Sequence, residues 1–181
     1  SEAYQLPGRE PKPDGLPWRA EPCKLVGSMR HIIGILLQNE SGALSRVAGL
    51  FSSRGYNIES LSVATTEDPT VSRVTLVTTG SEAVIQQIVN QLNKLIDVLT
   101  VDDMTGGDHL ERELVLVKLR LSPEQRESAT RQVAQAGGRV LNADPESFIV
   151  ELSANEAEAS RFMRDAAQFG ELLEVVRSGA L

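Results

Sequence analysis

The stretch from Asn39 to Val47, with the sequence NESGALSRV, carries residue types that could bind a small charged molecule. It follows an apolar run and opens a segment whose apolar residues recur at helical spacing. A helix N-terminus offers free backbone N–H groups and a partial positive charge, which together suit one carboxylate. Gly42 permits close approach to the backbone, and Asn39 supplies both a donor and an acceptor for a zwitterion. The alternative is a plain turn in which Ser41 caps the helix.

The sequence lacks the residue patterns of the common catalytic sites. It contains no Gly-x-Ser-x-Gly elbow, no Walker motif and no Gly-x-Gly-x-x-Gly after a strand. The only cysteine is Cys23, so thiol catalysis and cysteine metal sites are excluded from the chain after residue 28. Of the two histidines, His31 is predicted to face solvent at a strand end, and His109 to lie in a solvated linker.

Composition narrows the class of partner. The 181 residues carry a net charge of −7, with 41% hydrophobic and 24% charged residues, which is ordinary for a globular protein. A nucleic acid or an anionic membrane would have to bind against this charge. No apolar run approaches the roughly 18 residues needed to cross a bilayer. We therefore expect neither a nucleic acid nor a membrane as partner, and we expect a cytoplasmic protein.

Residues 1–28 differ from the rest of the chain. They hold five of the eight prolines, a density that prevents a helix or a central strand. They lack the features of a signal or transit peptide. The sequence Gly27-Ser28-Met29 resembles a cloning junction before an initiator methionine. We interpret residues 1–28 as a vector-derived leader, with a native disordered tail as the alternative.

The elements that must position NESGALSRV follow a repeating order. In the first unit, apolar periodicity and turn residues predict strand, helix, strand, strand, helix, strand. The boundaries are Arg30–Gln38, Ala43–Arg54, Tyr56–Thr66, Val71–Thr79, a helix after Ser81, and Asp97–Met104. Gly55 is predicted to end the first helix, and Ser81 to cap the second.

A short linker, residues 105–110, precedes a second unit of the same order. Its boundaries are Glu113–Leu121, a helix from Ser122-Pro123 to Gly137, Arg139–Ala143, Ser147–Leu152, a helix starting at Asn155, and Glu171–Val176. Asn155 and Glu158 have the spacing of a capping box. The order predicts an α+β chain of two consecutive ferredoxin-like βαββαβ units. Units of about 70 residues have thin cores and open sheet faces, so we expect a homodimer.

The fold alone does not decide the function, because ferredoxin-like units serve several classes of protein. An RNA-binding sheet needs stacking aromatic residues, but the central strands here carry Ile, Val, Thr and Ser. A copper chaperone needs a cysteine pair. An acylphosphatase needs a phosphate cradle with an arginine nearby, and the NESGA loop lacks a basic residue. Two interpretations of NESGALSRV remain: a binding site for a zwitterion and a plain turn.

A resemblance favours the binding site. Residues 39–76, together with LNKLIDVL, ERELVLVK and EVVRSG later in the chain, closely resemble the small, regulatory subunits of acetolactate synthase (acetohydroxyacid synthase). The resemblance covers essentially all of residues 29–181. It implies that residues 29–104 form an ACT domain, an amino-acid-binding module, and that residues 111–181 form a second, ferredoxin-like regulatory domain. Members of this family often extend somewhat beyond the position of Leu181.

The resemblance also implies a set of effector-binding residues. In this family two ACT domains pair side by side, and valine binds at the seam. Backbone N–H groups at Gly42 and Ala43 would hold the valine carboxylate, and Asn39 would bind through its side chain. Asn57 and Ile58 would come from the partner chain. Leu44 would join Ile58 in forming apolar walls.

The same resemblance implies the partners. The chain would be non-catalytic, would raise the activity of the large catalytic subunit and would convey feedback inhibition by valine in branched-chain amino-acid biosynthesis. Thiamine diphosphate, Mg²⁺ and FAD would belong to the large subunit, and this chain would hold no cofactor. The alternative is a free-standing amino-acid sensor that acts on another enzyme or on transcription, for which no basic DNA-binding segment is visible.

Overall fold

The computed structural model describes residues 29–144 and 146–181. The interpretation of residues 1–28 as a leader lies outside the described residues. The described chain consists of two units with the same order of elements, each built on its own four-stranded antiparallel sheet. The prediction of two consecutive ferredoxin-like units is confirmed.

The elements of the first unit are β1 (Met29–Gln38), α1 (Ala43–Arg54), β2 (Ser60–Thr65), β3 (Val71–Gly80), α2 (Glu82–Leu92) and β4 (Val98–Asp103). Its sheet has the strand order β2-β3-β1-β4, so that β2 and β4 are the edge strands.

The elements of the second unit are β5 (Glu113–Arg120), α3 (Gln125–Gln135), β6 (Arg139–Asp144), β7 (Ser147–Ala154), α4 (Glu156–Phe169) and β8 (Glu171–Arg177). Its sheet repeats the arrangement of the first, with the strand order β6-β7-β5-β8.

Side-chain alternation along β1 builds the core of the first unit. Ile33, Ile35 and Leu37 are at most 2% exposed and belong to one core cluster with residues of both helices. From α1, Val47 and Phe51 pack into this core, because they lie on the apolar stripe of the helix. The core fixes β1 and α1 against each other, and therefore also fixes the turn between them.

The second unit has a separate core around β5 and α4. The predicted capping box at the start of α4 is confirmed: the Glu158 N–H donates to Asn155 Oδ1 at 2.9 Å, and the Asn155 N–H donates to Glu158 Oε2 at 3.2 Å. The predicted cap of α3 is wrong. Glu124, not Ser122, is the N-cap residue of α3, and its side chain makes no capping bond.

Three local predictions in the first unit have mixed outcomes. Gly55 ends α1 in the left-handed conformation, as predicted, with φ 70°. Ser81 is the N-cap residue of α2, but its side chain makes no capping bond. The second strand begins at Ser60, later than predicted. Tyr56 belongs instead to the end of α1: its N–H donates to the Phe51 carbonyl at 3.0 Å, and its ring packs edge to face on Phe51, with ring centroids 6.0 Å apart.

The two units contact each other through ion pairs and the end of the chain. Arg30 pairs with Glu111 and, at 2.8 Å, with Glu156. Ala180 is 4% exposed and packs with Ile32 on the outer face of the first sheet. A cleft of about 420 Å³ lies at this junction, and the arginines that line it are already paired with carboxylates.

None of the helices formed by residues 29–144 and 146–181 is both long enough and apolar enough to span a membrane.

Candidate functional site

The turn between β1 and α1 is held by hydrogen bonds from both sides. The Gln38 N–H donates to the Asp97 carbonyl at 2.8 Å, and the Asn39 N–H donates to the Thr70 carbonyl at 2.7 Å. The Asn39 side chain donates through Nδ2 to the Pro69 carbonyl at 2.9 Å. Asn39 is exposed, so its amide lies at the surface with its position fixed by the β2–β3 turn.

Helix α1 begins at a glycine, without a side-chain cap. Gly42 is the N-cap residue, with φ 88° and ψ −12°, and no side chain accepts from the first N–H groups of the helix. The alternative that Ser41 caps this helix is therefore wrong. The left-handed conformation at Gly42 is one that residues with a Cβ avoid, so the sequence requirement here is for glycine.

The next two predicted residues differ in their surroundings. The Ala43 N–H donates to the Glu40 carbonyl at 3.2 Å, and the Ala43 side chain is buried. Ala43 therefore anchors the helix start to the core, and its N–H is already engaged by the chain. Leu44 is 37% exposed and presents an apolar side chain beside Gly42. The first turn of α1 contains no acidic residue.

Arg46 and Asp97 are site residues that the sequence interpretation missed. The Arg46 Nε donates to Asp97 Oδ2, and Asp97 is only 4% exposed. This hydrogen bond holds the pKa of the Asp97 carboxyl below its usual value and raises the pKa of Arg46 above its own. The Arg46 Nη1 lies 3.1 Å from the position that a Cβ on Gly42 would take.

The expectation that no basic residue accompanies the NESGA loop is therefore wrong. Arg46 lies four residues after Gly42, and residues at this spacing share one face of a helix. This spacing is the feature of the sequence from which Arg46 could have been predicted as a site residue. The pairing with Asp97, 51 positions further along the chain, depends on the tertiary fold.

Asn57 and Ile58 lie beyond the opposite end of α1. The Asn57 carbonyl accepts from Thr78 Oγ1 at 2.6 Å, and Ile58 packs partly buried against the first core. A helix of 12 residues is about 18 Å long. Within one chain, the structure thus brings together Asn39, Gly42, Ala43 and Leu44, and it separates them from Asn57 and Ile58 by the length of α1.

The histidines have structural roles. His31 is 1% exposed, so the expectation that it faces solvent is wrong. Its Nδ1 lies 3.1 Å from Thr105 Oγ1, which also accepts from the Ile32 N–H and donates to Asp103. His109 Nδ1 lies 3.0 Å from the Gly107 carbonyl. In the part of the chain that the structure describes, no group of three or more His, Cys, Asp or Glu side chains could hold a metal ion.

Comparison with known families gives two adjacent matches. Residues 27–100 match a family described as the acetohydroxyacid synthase (AHAS) small subunit-like ACT domain. Residues 112–181 match a family described as the small subunit of acetolactate synthase.

Individual relatives agree with these matches. The chain is 46% identical over 153 residues to the acetolactate synthase isozyme 3 small subunit of Escherichia coli K12, which covers 84% of this chain and 94% of that protein. It is 40% identical over 151 residues to a probable acetolactate synthase small subunit of Archaeoglobus fulgidus, covering 83% and 94%. The crystal structure of the small subunit from Thermotoga maritima superposes with a TM-score of 0.77 at 28% identity, covering 84% of this chain and 95% of that one.

Proposed function

The chain belongs to the family of acetolactate synthase small subunits, and we propose that it activates the catalytic subunit and conveys feedback inhibition by valine. As a member of that family it is a regulatory subunit with an ACT domain. In this proposal the effector is an amino acid that binds at the N-terminus of α1. The chain and the catalytic subunit work together in the cytoplasm.

The observation that carries the proposal is the open start of α1. Gly42 leaves the N-terminus of the helix without a side-chain cap and without a Cβ over it. Asn39 lies beside it on a fixed loop, and Leu44 supplies an apolar surface. This arrangement suits an amino acid with an apolar side chain, whose carboxylate would lie at the helix N-terminus.

The separation of the proposed site residues along α1 supports a homodimer. Gly42 and Asn57 lie at opposite ends of the helix, so an amino acid cannot touch both within one chain. A two-fold axis across the middle of α1 would place the N-terminus of one helix beside the C-terminus of its partner. The edge strand β2 has a free side on which a second β2 can pair, which would join the two sheets.

In this proposal the chemistry belongs to the large subunit. Thiamine diphosphate, Mg²⁺ and FAD would be bound there, and this chain would act through docking alone. Linkage requires that the coupling in binding free energy be reciprocal: if valine changes the binding free energy between the two subunits, the catalytic subunit must change the binding free energy of valine by the same amount.

The first test is a melting curve of the chain with and without excess valine, beside leucine, isoleucine and serine. A ligand at ~100 times its dissociation constant should stabilise the folded state by about 2.7 kcal/mol, which raises the melting temperature by several degrees. A rise with valine and little or none with serine is the expected result. No rise with any of the four amino acids, in the chain alone or mixed with the catalytic subunit, would contradict the proposal.

The second test asks whether one site uses two chains. We expect Gly42→Asp and Asn57→Ala each to abolish or weaken the inhibition by valine of a reconstituted complex. A mixture of the two variants should recover part of the inhibition, because in a mixed dimer both substitutions fall in one site and the other site is intact. If the mixture recovers none, while its mixed dimers are detected by native mass spectrometry, the site does not span two chains.

A further inference from the structure

The Arg46 side chain returns to the start of the helix on which it lies. Long side chains on a helix lean toward its N-terminus, which directs Arg46 toward the residue four positions earlier. That residue is Gly42, and the Arg46 Nη1 lies 3.1 Å from the position of a Cβ there. The positive charge of the guanidinium is thus added to the partial positive charge of the N-terminus of α1.

Asp97 holds the guanidinium in this place. It accepts from the Arg46 Nε and is 4% exposed, while the Arg46 side chain is 45% exposed. The backbone carbonyl of Asp97 accepts from the Gln38 N–H, and this hydrogen bond holds Asp97 next to the loop that carries Asn39. With Nε directed at Asp97, Nη1 is the nitrogen that lies beside Gly42.

We propose that Arg46 is a further effector-binding residue, whose Nη1 binds the carboxylate of the amino acid held at the N-terminus of α1. Asp97 is the positioning residue of Arg46. Its carboxylate orients the guanidinium, and its negative charge weakens the attraction between the guanidinium and the carboxylate of the effector. This inference rests on the proposed function and deepens it, because it assigns the recognition of the carboxylate to a charged side chain as well as to backbone N–H groups. An arginine can serve two carboxylates at once, since its five N–H donors point in fixed directions.

The test is calorimetric titration of the full chain with valine and with valinamide. Valinamide keeps the side chain and the amino group but has no carboxylate. A hydrogen bond to a charged group is worth about 1.5–3 kcal/mol, so we expect Arg46→Gln to weaken valine binding roughly 10- to 100-fold. The affinity for valinamide should change less than about threefold. Arg131→Gln is the matched control, because it also removes an arginine paired with an acid on an exposed helix, and it should change neither.

The Asp97 variant separates a binding role from a purely structural ion pair. Asp97→Asn keeps an oxygen that can accept from Arg46 Nε but removes the competing negative charge. We expect it to tighten valine binding about threefold, the effect of one charge some 6 Å away in water. Both Arg46→Gln and Asp97→Asn should lower the melting temperature. Opposite effects on valine affinity with the same effect on stability would not follow from a structural pair alone.

The outcomes are separable. If the unsubstituted chain binds none of the branched-chain amino acids, either alone or mixed with the catalytic subunit, the proposed function fails. If it binds valine, and Arg46→Gln binds valine and valinamide with unchanged affinities, only the role of Arg46 fails. Should Arg46→Gln not fold, Arg46→Lys gives the same test. Lysine keeps the positive charge but lacks the planar guanidinium that can donate to two carboxylates at once. We therefore expect Arg46→Lys to fold and to bind valine more weakly. Unchanged valine affinity in a folded Arg46→Lys chain would overturn the assignment.

Discussion

Replacement of Gly42 by aspartate should weaken valine binding while the chain still folds. With φ 88° at this position, any Cβ is strained, and the left-handed conformation costs roughly 1–2 kcal/mol for most residues. Asp and Asn tolerate it better than other residues, because their short polar side chains bond locally. Gly42→Asp and Gly42→Asn therefore share a modest strain and differ in one negative charge.

The charge decides the size of the effect. A Cβ on Gly42 would lie 3.1 Å from Arg46 Nη1, so the carboxylate of Gly42→Asp would occupy the position assigned to the effector carboxylate. If an effector entered nonetheless, two like charges 4 Å apart would repel by about 1 kcal/mol in water and about 4 kcal/mol at an effective dielectric constant of 20. Relative to Gly42→Asn, the affinity of Gly42→Asp for valine should fall roughly fivefold to several hundredfold.

The assay is titration of both variants with valine, together with their melting curves. We expect a small decrease in melting temperature that is similar in the two variants, and a large difference in valine affinity between them. In a reconstituted complex, the Gly42→Asp chain should still activate the catalytic subunit, but valine should no longer inhibit that complex. Equal valine affinities in the two variants would refute the placement of the effector carboxylate at the N-terminus of α1.

Three further predictions concern stability. Gly49 lies in the interior of α1 with open space around it, so Gly49→Ala should stabilise the chain by about 0.5–1 kcal/mol. Gly170→Ala should destabilise the chain strongly, because the new Cβ would lie 2.3 Å from the Arg120 carbonyl oxygen. Urea unfolding of the two variants measures both effects. Thr105→Val removes a hydroxyl that accepts from a backbone N–H of a buried strand and should cost about 1–3 kcal/mol in the same assay. Because the pKa of Asp97 is lowered in the folded state, its ionised form stabilises the fold above about pH 4, and this stabilisation is lost as the pH falls through the lower folded value. The difference in stability between the unsubstituted chain and Asp97→Asn should therefore shrink between pH 7 and pH 3, and a constant difference would contradict the argument.

The sequence predicted the elements where one local rule dominates. The continuous apolar run from Ile32 to Leu37 predicts a buried strand, and the apolar stripe of Val47 and Phe51 predicts a helix. The bounds of α1 agree with the prediction to the residue. The capping box at the start of α4 was also predictable, because both of its partners lie within four residues.

Features that depend on competing or distant partners were not predictable. Ser41 is a good cap by residue type, but Gly42 takes the N-cap position in the left-handed conformation. His31 begins a strand, where exposure is expected, yet the linker folds back and buries it against Thr105. The pair of Arg46 and Asp97 joins residues 51 positions apart, and only the sheet order brings them together.

An open helix N-terminus does not by itself identify a binding site in this chain, because α2 and α3 also begin without a side-chain cap. The electrostatic surroundings separate the two units. Helix α3, the counterpart of α1, begins at Glu124 and has Glu127 in its first turn, so a carboxylate there would meet two negative charges. The first turn of α1 has no acidic residue and carries Arg46 beside Gly42. Helix α2 has Glu82 in its first turn, and α4 is capped by the Asn155 side chain. Among the helices that the structure describes, only α1 therefore has a start that suits a carboxylate, and a titration should saturate at one effector for each chain.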